Sequence, residues 1–541
     1  MSDSDLSSSS DEMISLTRAT LRSGRFQALA SVRRNASMEM SLREAGVLIP
    51  DIKSDKWRLH RFLILGAEKG AYESADREFT RKEVKCIDSL ISNDHGPEVV
   101  EIIKRAKLTG RGCQRQTAIY ALAMCARSTE SSTKKAAYSA LQAVCPEPSD
   151  LLTFVMFCEM VSGGTGWGRA QRRAVSDWYN SFSDRPMELA EGVTKVQKNG
   201  QWTHKDVARL SHVKPDSPFI MLILRYVTKG LNESKKLPSP IDRDQAKQWQ
   251  DILQYLEAVN NTRQCTGNME VQGKIDIIRK YRLETSQMSA ALMRSTLVWE
   301  VLLNQIPLDL VIQNISKIDQ LDDQKTILER LGDVEQLQNA NVNPFAVVLA
   351  MKETNDENVK KTLAHSFELC VRNVKPTDKK YSLVHWVGKE LDSKLEEKKS
   401  VTIGDAIATM ATIIARATHR DSEIVTYTSG EKIKLEFPST DALACTNNLI
   451  AVNESLSVLV QHVEEALDSF DAIIVLLSSP AEKFKQTFSR FHFGVGTTRL
   501  VIVNFASSDV TVEDQKNPFM LQVVGFSVNT TEAIMRFVEG H

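Results

Sequence analysis

The chain has 541 residues, room for two to four domains at roughly 100–200 residues each, and its 42% apolar and 25% charged content excludes a disordered chain or a miniature scaffold. Sixty-eight Lys and Arg stand against 69 Asp and Glu, so the formal charge of -1 gives no global attraction to polyanions and any such affinity must come from local patches. Eight Cys occur with no C-x-x-C pair, which excludes a zinc clip and a disulfide-stapled scaffold.

Reduced thiols point to the cytoplasm, with the nucleus as second compartment. The clearest apolar run, AIIVLL at 472–477, is far below the roughly 20 residues of a membrane helix, so no membrane partner is expected.

Residues 1–50 read as a disordered Ser/Arg-rich tail. An acidic serine tract, SDSDLSSSSDE, precedes Arg18, Arg22, Arg25, Arg33 and Arg34, with no patterned apolar face. Asp3, Asp5, Asp11 and Glu12 are wrong for a mitochondrial transit peptide. A basic arm gripping phosphate is the functional alternative to a solvated tail.

Residues 51–370 are expected to form a helical-repeat domain. Apolar residues recur at helical spacing in QTAIYALAMCA (116–126), LLTFVMFCEMV (151–161) and PFIMLILRYVTKGL (218–231), between short polar or Gly/Pro-marked breaks. Consecutive helices with short connections suggest a solenoid or stacked bundle. Residues 376–541 change texture. Strand-like YSLVHWV (381–387), EIVTYTS (423–429), KIKLEF (432–437), DAIIVLL (471–477), RLVIVNF (499–505) and MLQVVGFSV (520–528) alternate with helical patterns at 403–419, 453–469 and 531–539. This is the pattern of a doubly wound α/β sheet, with the second and third strands paired as an edge hairpin.

Catalytic motifs are missing: no P-loop, dinucleotide fingerprint, H-E-x-x-H, nucleophile elbow or EF-hand loop occurs. FGVGTT at 493–498 precedes a strand and reads as a glycine turn. No catalytic residue, metal ligand or cofactor is expected.

Basic clusters carry more information. In GWGRAQRRAVSDWYN (166–180), Arg169, Arg172 and Arg173 share a helical face, next to a stripe of Ala170, Ala174 and Trp178 expected to be buried. Such a fork suits phosphate. Residues 192–215 carry Lys195, Lys198, Lys205, Arg209 and Lys214 against Asp206 alone. In WTHKDVARLSHVKP (202–215), Thr203 and Asp206 form a capping-box start. The wheel that follows groups Val207, Leu210 and Val213 on one half and His204, Lys205, Arg209 and His212 on the other. Charge together with imidazoles and Trp202 makes an RNA-type surface. Lys104, Arg105, Lys107, Arg111 and Arg115 add a further basic stretch.

These strings, with WRLHRFLILGAEKGAY (57–72), GRGCQRQTAIYALAMC (110–125) and NPFAVVLAM (343–351), resemble the TROVE-module family of Ro ribonucleoprotein autoantigens, as an invertebrate member. The resemblance is strong over 57–230, weak over 231–370, and rests on element order beyond 376. It implies a ring of HEAT-like repeats followed by a von Willebrand factor A-like domain. It also implies Y RNA on an outer basic surface, single-stranded 3′ ends of misfolded RNA in a central hole, and a role in RNA quality control. The position matched most closely is His204. The implied metal motif is lost: Trp386, Gly388 and Glu390 stand at its first three positions, Val452 and Ser478 at the next two. The reading is therefore a monomeric, noncatalytic small-RNA-binding protein. The alternative is a protein-interaction scaffold, and an enzyme would need a carboxylate metal cluster that the sequence does not display.

Overall fold

The computed structural model describes residues 55–68, 71–73, 79–81, 84–109, 115–196, 198–267, 270–340, 342–372, 377–395, 400–417, 422–435, 449–467, 469–477, 498–505, 519–526 and 530–539. The tail 1–50 and the glycine turn at 493–497 lie outside them. The chain forms two compact units, one from residues up to 78 together with 331–541, the other from 79–330. Segments at both ends of the helical stretch thus group with the sheet.

In chain order the elements used below are helix α1 (Asp55–Leu65), strand β1 (Ala71–Glu73), and the helices α2 (Arg115–Ala126), α3 (Pro148–Ser162), α4 (Arg169–Asn180), α5 (Pro186–Lys195), α6 (His204–Ser211) and α7 (Pro218–Lys229). Then come α8 (Pro344–Glu353), β2 (Tyr381–Trp386), α9 (Ile403–Ala417), β3 (Glu423–Thr428) and β4 (Glu431–Lys434). The chain continues with α10 (Leu456–Ala466), β5 (Ala472–Leu477), β6 (Arg499–Asn504), β7 (Met520–Val524) and α11 (Thr530–Glu539).

The unit 79–330 is helical throughout its described elements. Its helices are wholly or half apolar: every residue of α2 from Thr117 to Ala126 is buried. Close approach is set locally. Gly192 in α5 lies so near α3 that a Cβ there would stand 2.4 Å from Pro148. The α3 start is held by a capping box between Glu147 and Asp150, with Pro148 at the first helical position, and α3 ends at Gly163 in the left-handed region (φ 59°).

The other unit is a seven-stranded sheet in the order β1-β7-β6-β5-β2-β3-β4, parallel except for the β3–β4 hairpin. Both faces are covered, as a parallel sheet requires. Period-2 alternation sends Tyr381 and Leu383 to a cluster with α9 and α11, and Val384 and Trp386 to one with α10. The hairpin and the β–α order follow the sequence expectation. β1 does not: three residues from far upstream pair in parallel with β7, Ala71 opposite Gln522. Ile64 and Leu65 of α1 and Phe345 of α8 complete the first cluster.

Arg61 of α1 is 5% exposed and donates to the Met520 carbonyl at 2.7 Å. Its guanidinium lies over the Trp57 and Phe537 rings, at 5.1 and 5.5 Å, and Arg499 lies over Phe537 at 5.7 Å. Burial and the neighbouring Arg499 lower the Arg61 guanidinium to about 9, still charged at neutral pH.

Two buried histidines serve the sheet. His462 of α10 bridges Ser382 (Nε2 to Oγ, 3.1 Å) and Tyr427 (Nδ1 to Oη, 2.6 Å), and His385 meets Thr426 at 3.3 Å. Burial lowers both imidazoles to about 4, and Lys432 adds to the effect at His462, opposed by Glu423 and Glu465.

Two outcomes are expected. A 376–541 fragment lacks β1, α1 and α8, so its thermal unfolding followed by circular dichroism should be broad. Adding 55–73 and 331–375 should restore a cooperative transition, and a fragment that melts as sharply alone would contradict this packing. Second, His385 and His462 are neutral when folded but take a proton near 6.5 when unfolded. Their contribution is whole above about 6.5 and falls as pH drops toward about 4. Denaturant midpoints measured across that window should decline in the wild type and less in His462→Gln.

Candidate nucleic-acid interface

The basic strings lie mainly on α4 and α6, which pack together. Tyr179 of α4 and His204 of α6 share a hydrogen bond at 2.8 Å with their rings edge to face, and Asn180 donates to the Lys214 carbonyl at 2.9 Å. Trp178 anchors α4 from below through its indole N–H to the Cys145 carbonyl, 2.7 Å. α6 starts where the sequence places it: Thr203 Oγ1 accepts from the Asp206 N–H, and the Asp206 carboxylate accepts from the Thr203 N–H. The helix ends at His212 in the left-handed region, φ 51°.

Arg169, Arg172 and Arg173 are exposed, as the spacing implies. Among the described residues Arg173 makes a loose 3.7 Å contact with Asp177, and both side chains are solvated. Lys198, Lys205, Arg209 and His212 are exposed as well; Arg209 reaches the Thr228 carbonyl at 3.4 Å.

Other residues are placed differently from the sequence expectation. His204 is 3% exposed, on the inner side of α6 with Val207, Ala208 and Ser211; burial lowers its imidazole to about 3. It is a neutral clamp rather than a surface contact. The wheel misassigned it because the true inner stripe is 204, 207, 208 and 211, which leaves Leu210 exposed, while Val213 lies past the helix end. Ala170 is exposed, the buried stripe of α4 being Gln171, Ala174, Val175, Trp178 and Tyr179.

Arg115 is committed to structure. Its guanidinium binds Glu147 at 2.5 Å and Asp150, itself 1% exposed, and so pins the α3 start. Lys195 is held by Glu284 at 2.8 Å, and Lys104 and Arg105 share Glu101. Arg111 and Ser478 lie outside the described residues.

Reading residue by residue overlooked Arg127, which donates to Gln171 Oε1 at 2.9 Å, to Thr165 and to the Gly166 carbonyl at 3.1 Å. The glycines clustered at 163–168 were the available signal for this held loop.

In the α/β unit, Trp386 packs against Tyr427 with ring centroids 5.7 Å apart. The Val452 N–H donates to the Val387 carbonyl at 3.0 Å, beside Gly388. Gly388, the Glu390 carboxylate and the Val452 backbone thus lie together at one sheet end. Among the described residues no group of three or more His, Cys, Asp or Glu could hold a metal ion, and no described helix is long and apolar enough to cross a membrane.

Comparison with known proteins gives a consistent result. The TROVE domain model matches residues 44–436 and the Ro60 vWA domain model residues 381–538. A Caenorhabditis elegans protein named RNA-binding protein RO60 is 23% identical over 90% of this chain and 88% of its own. A Deinococcus radiodurans protein of the same name is 21% identical over 90% and 93%. The crystal structure of the Deinococcus radiodurans RO (RSR) protein superposes with a TM-score of 0.75 at 20% identity, over 90% of this chain and 100% of that one, which establishes the shared fold. Since the TROVE match alone spans well over half of its length, the chain belongs to the TROVE domain family and carries a Ro60-type vWA domain.

Proposed function

We propose that this chain is a noncatalytic RNA-binding protein whose RNA surface is the solvent side of α4 and α6. The observation that carries the reading is the exposed set Arg169, Arg172, Arg173, Lys205, Arg209 and His212 on or at the end of two helices locked by the Tyr179–His204 hydrogen bond, with exposed Lys198 in the connection before α6. Arg guanidiniums in a fork and Lys at its margin suit a phosphate backbone, and a rigid support lowers the ordering cost of contact. The relatives named as RNA-binding proteins support the same reading.

The finer reading, taken from the family resemblance, is that the ligand is a structured small RNA of the Y type. In it, single-stranded 3′ ends of misfolded RNA enter a central hole, and the protein acts in cytoplasmic RNA quality control. The lost donors at Trp386 and Val452 support a vWA domain that works without a divalent cation.

The test is the salt dependence of affinity for a hairpin RNA with a single-stranded 3′ tail. Replacing Arg169, Arg172 and Arg173 together by Gln should weaken binding and flatten the log–log salt slope by about 0.7–0.9 per lost phosphate contact. Arg115→Gln should leave the slope unchanged and lower stability by about 2 kcal/mol, because it strands the buried Asp150. Chelator should change neither quantity. Wild-type affinity and slope in the triple variant would remove this surface from the function.

A further inference from the structure

Helix α4 begins against its own electrostatics. The helix macrodipole makes an N-terminus positive, yet the first turns of α4 carry Arg169, Arg172 and Arg173 and no acid, and the N-cap is Gly168 with no side-chain cap. The loop before it is open: a Cβ added at Gly163, Gly164, Gly166 or Gly168 would meet nothing within 4 Å, and the first three have φ of 59°, 85° and 74°.

The polar side chains at this loop supply an independent sign. Gln171 is 1% exposed and sits at the third helical position, from which a side chain leans back toward the helix start. Its Oε1 is taken by Arg127, and its Nε2 has no acceptor among the described residues. The indole Nε1 atoms of Trp167 and Trp202, whose rings lie 6.0 Å apart, are likewise without acceptors there. All three unsatisfied groups are N–H donors. Glu159, the carboxylate nearest in sequence on α3, has an oxygen without a donor and so does not serve them through it. Buried polar groups are rarely left unpaired, and donors gathered at an uncapped helix start beside arginines are complementary to an oxyanion.

We propose that the loop 163–168 and the first turn of α4 form a seat for one phosphate group. The backbone N–H groups of the helix start, Gln171 Nε2 and Trp167 Nε1 donate to it, and Arg169 and Arg172 neutralise it. This rests on the RNA-binding reading only for the source of the phosphate, an internal phosphodiester or a strand's terminal phosphate.

The experiment is calorimetric titration of the full chain with inorganic phosphate at fixed ionic strength, in parallel with RNA binding. The wild type should show one saturable site. Trp167→Phe and Arg169→Gln should each weaken it about fivefold or more. Gln171→Glu gives Arg127 and the helix start a fixed carboxylate, so it should abolish phosphate binding while the melting temperature stays at or above wild type. A purely structural Gln171 would let that variant bind phosphate as the wild type does, and this result, or no saturable phosphate heat in the wild type, would overturn the seat.

RNA oligomers with and without a terminal phosphate then identify the source. Equal loss for both in Gln171→Glu means an internal phosphodiester, and loss confined to the phosphorylated oligomer means a terminal one. Unchanged affinity for both, with the triple arginine variant still impaired, would remove the seat and leave the RNA surface standing.

Discussion

The hydrogen bond between Tyr179 and His204, 2.8 Å long and closed to water, is the contact on which the basic surface depends. It joins α4 to α6 and fixes which side of each helix faces outward. With His204 turned inward, Lys205 and Arg209 face solvent; with Tyr179 and Trp178 turned inward, Arg169, Arg172 and Arg173 do. Burial keeps the imidazole uncharged by lowering it to about 3, so the bond joins two neutral groups. Burial likewise holds the Tyr179 hydroxyl protonated, by raising its pKa. A charged histidine here would be an unpaired ion in the core. The residue whose type most suggests RNA contact is thus the one that positions the exposed cations around it.

The basic residues divide by the company they keep. Arg115 and Lys195 each face acids from a distant part of the chain, and the geometry spends their charge on joining helices. The cations of α4 and α6 have at most loose or backbone partners among the described residues, so their charge is directed at solvent. In the sheet unit, the end of β2 is packed by aromatic rings, Trp386 against Tyr427 with centroids 5.7 Å apart, with the Glu390 carboxylate beside Gly388.

What was legible in the sequence follows the range of the interactions involved. The Thr203–Asp206 capping box, the arginine fork and the six strands of the C-terminal half are local patterns, and each appears where its residues place it. His204 was not legible, because its partner lies 25 residues upstream and an eight-residue helix gives a wheel too few turns to decide its inner face. β1 is three residues long, with no alternation to detect, and exists because β7, about 450 residues later, offers an open edge. Arg115 looked like its basic neighbours until the fold brought Glu147 and Asp150 to it.

The most direct test of the account is photocrosslinking of a structured RNA containing 4-thiouridine to the full chain, with crosslinked peptides mapped by mass spectrometry. The account expects the crosslinks to concentrate in 166–180 and 198–215, with none at the buried His204. Crosslinks confined to the α/β unit, or absent from both peptides while RNA is bound, would contradict it.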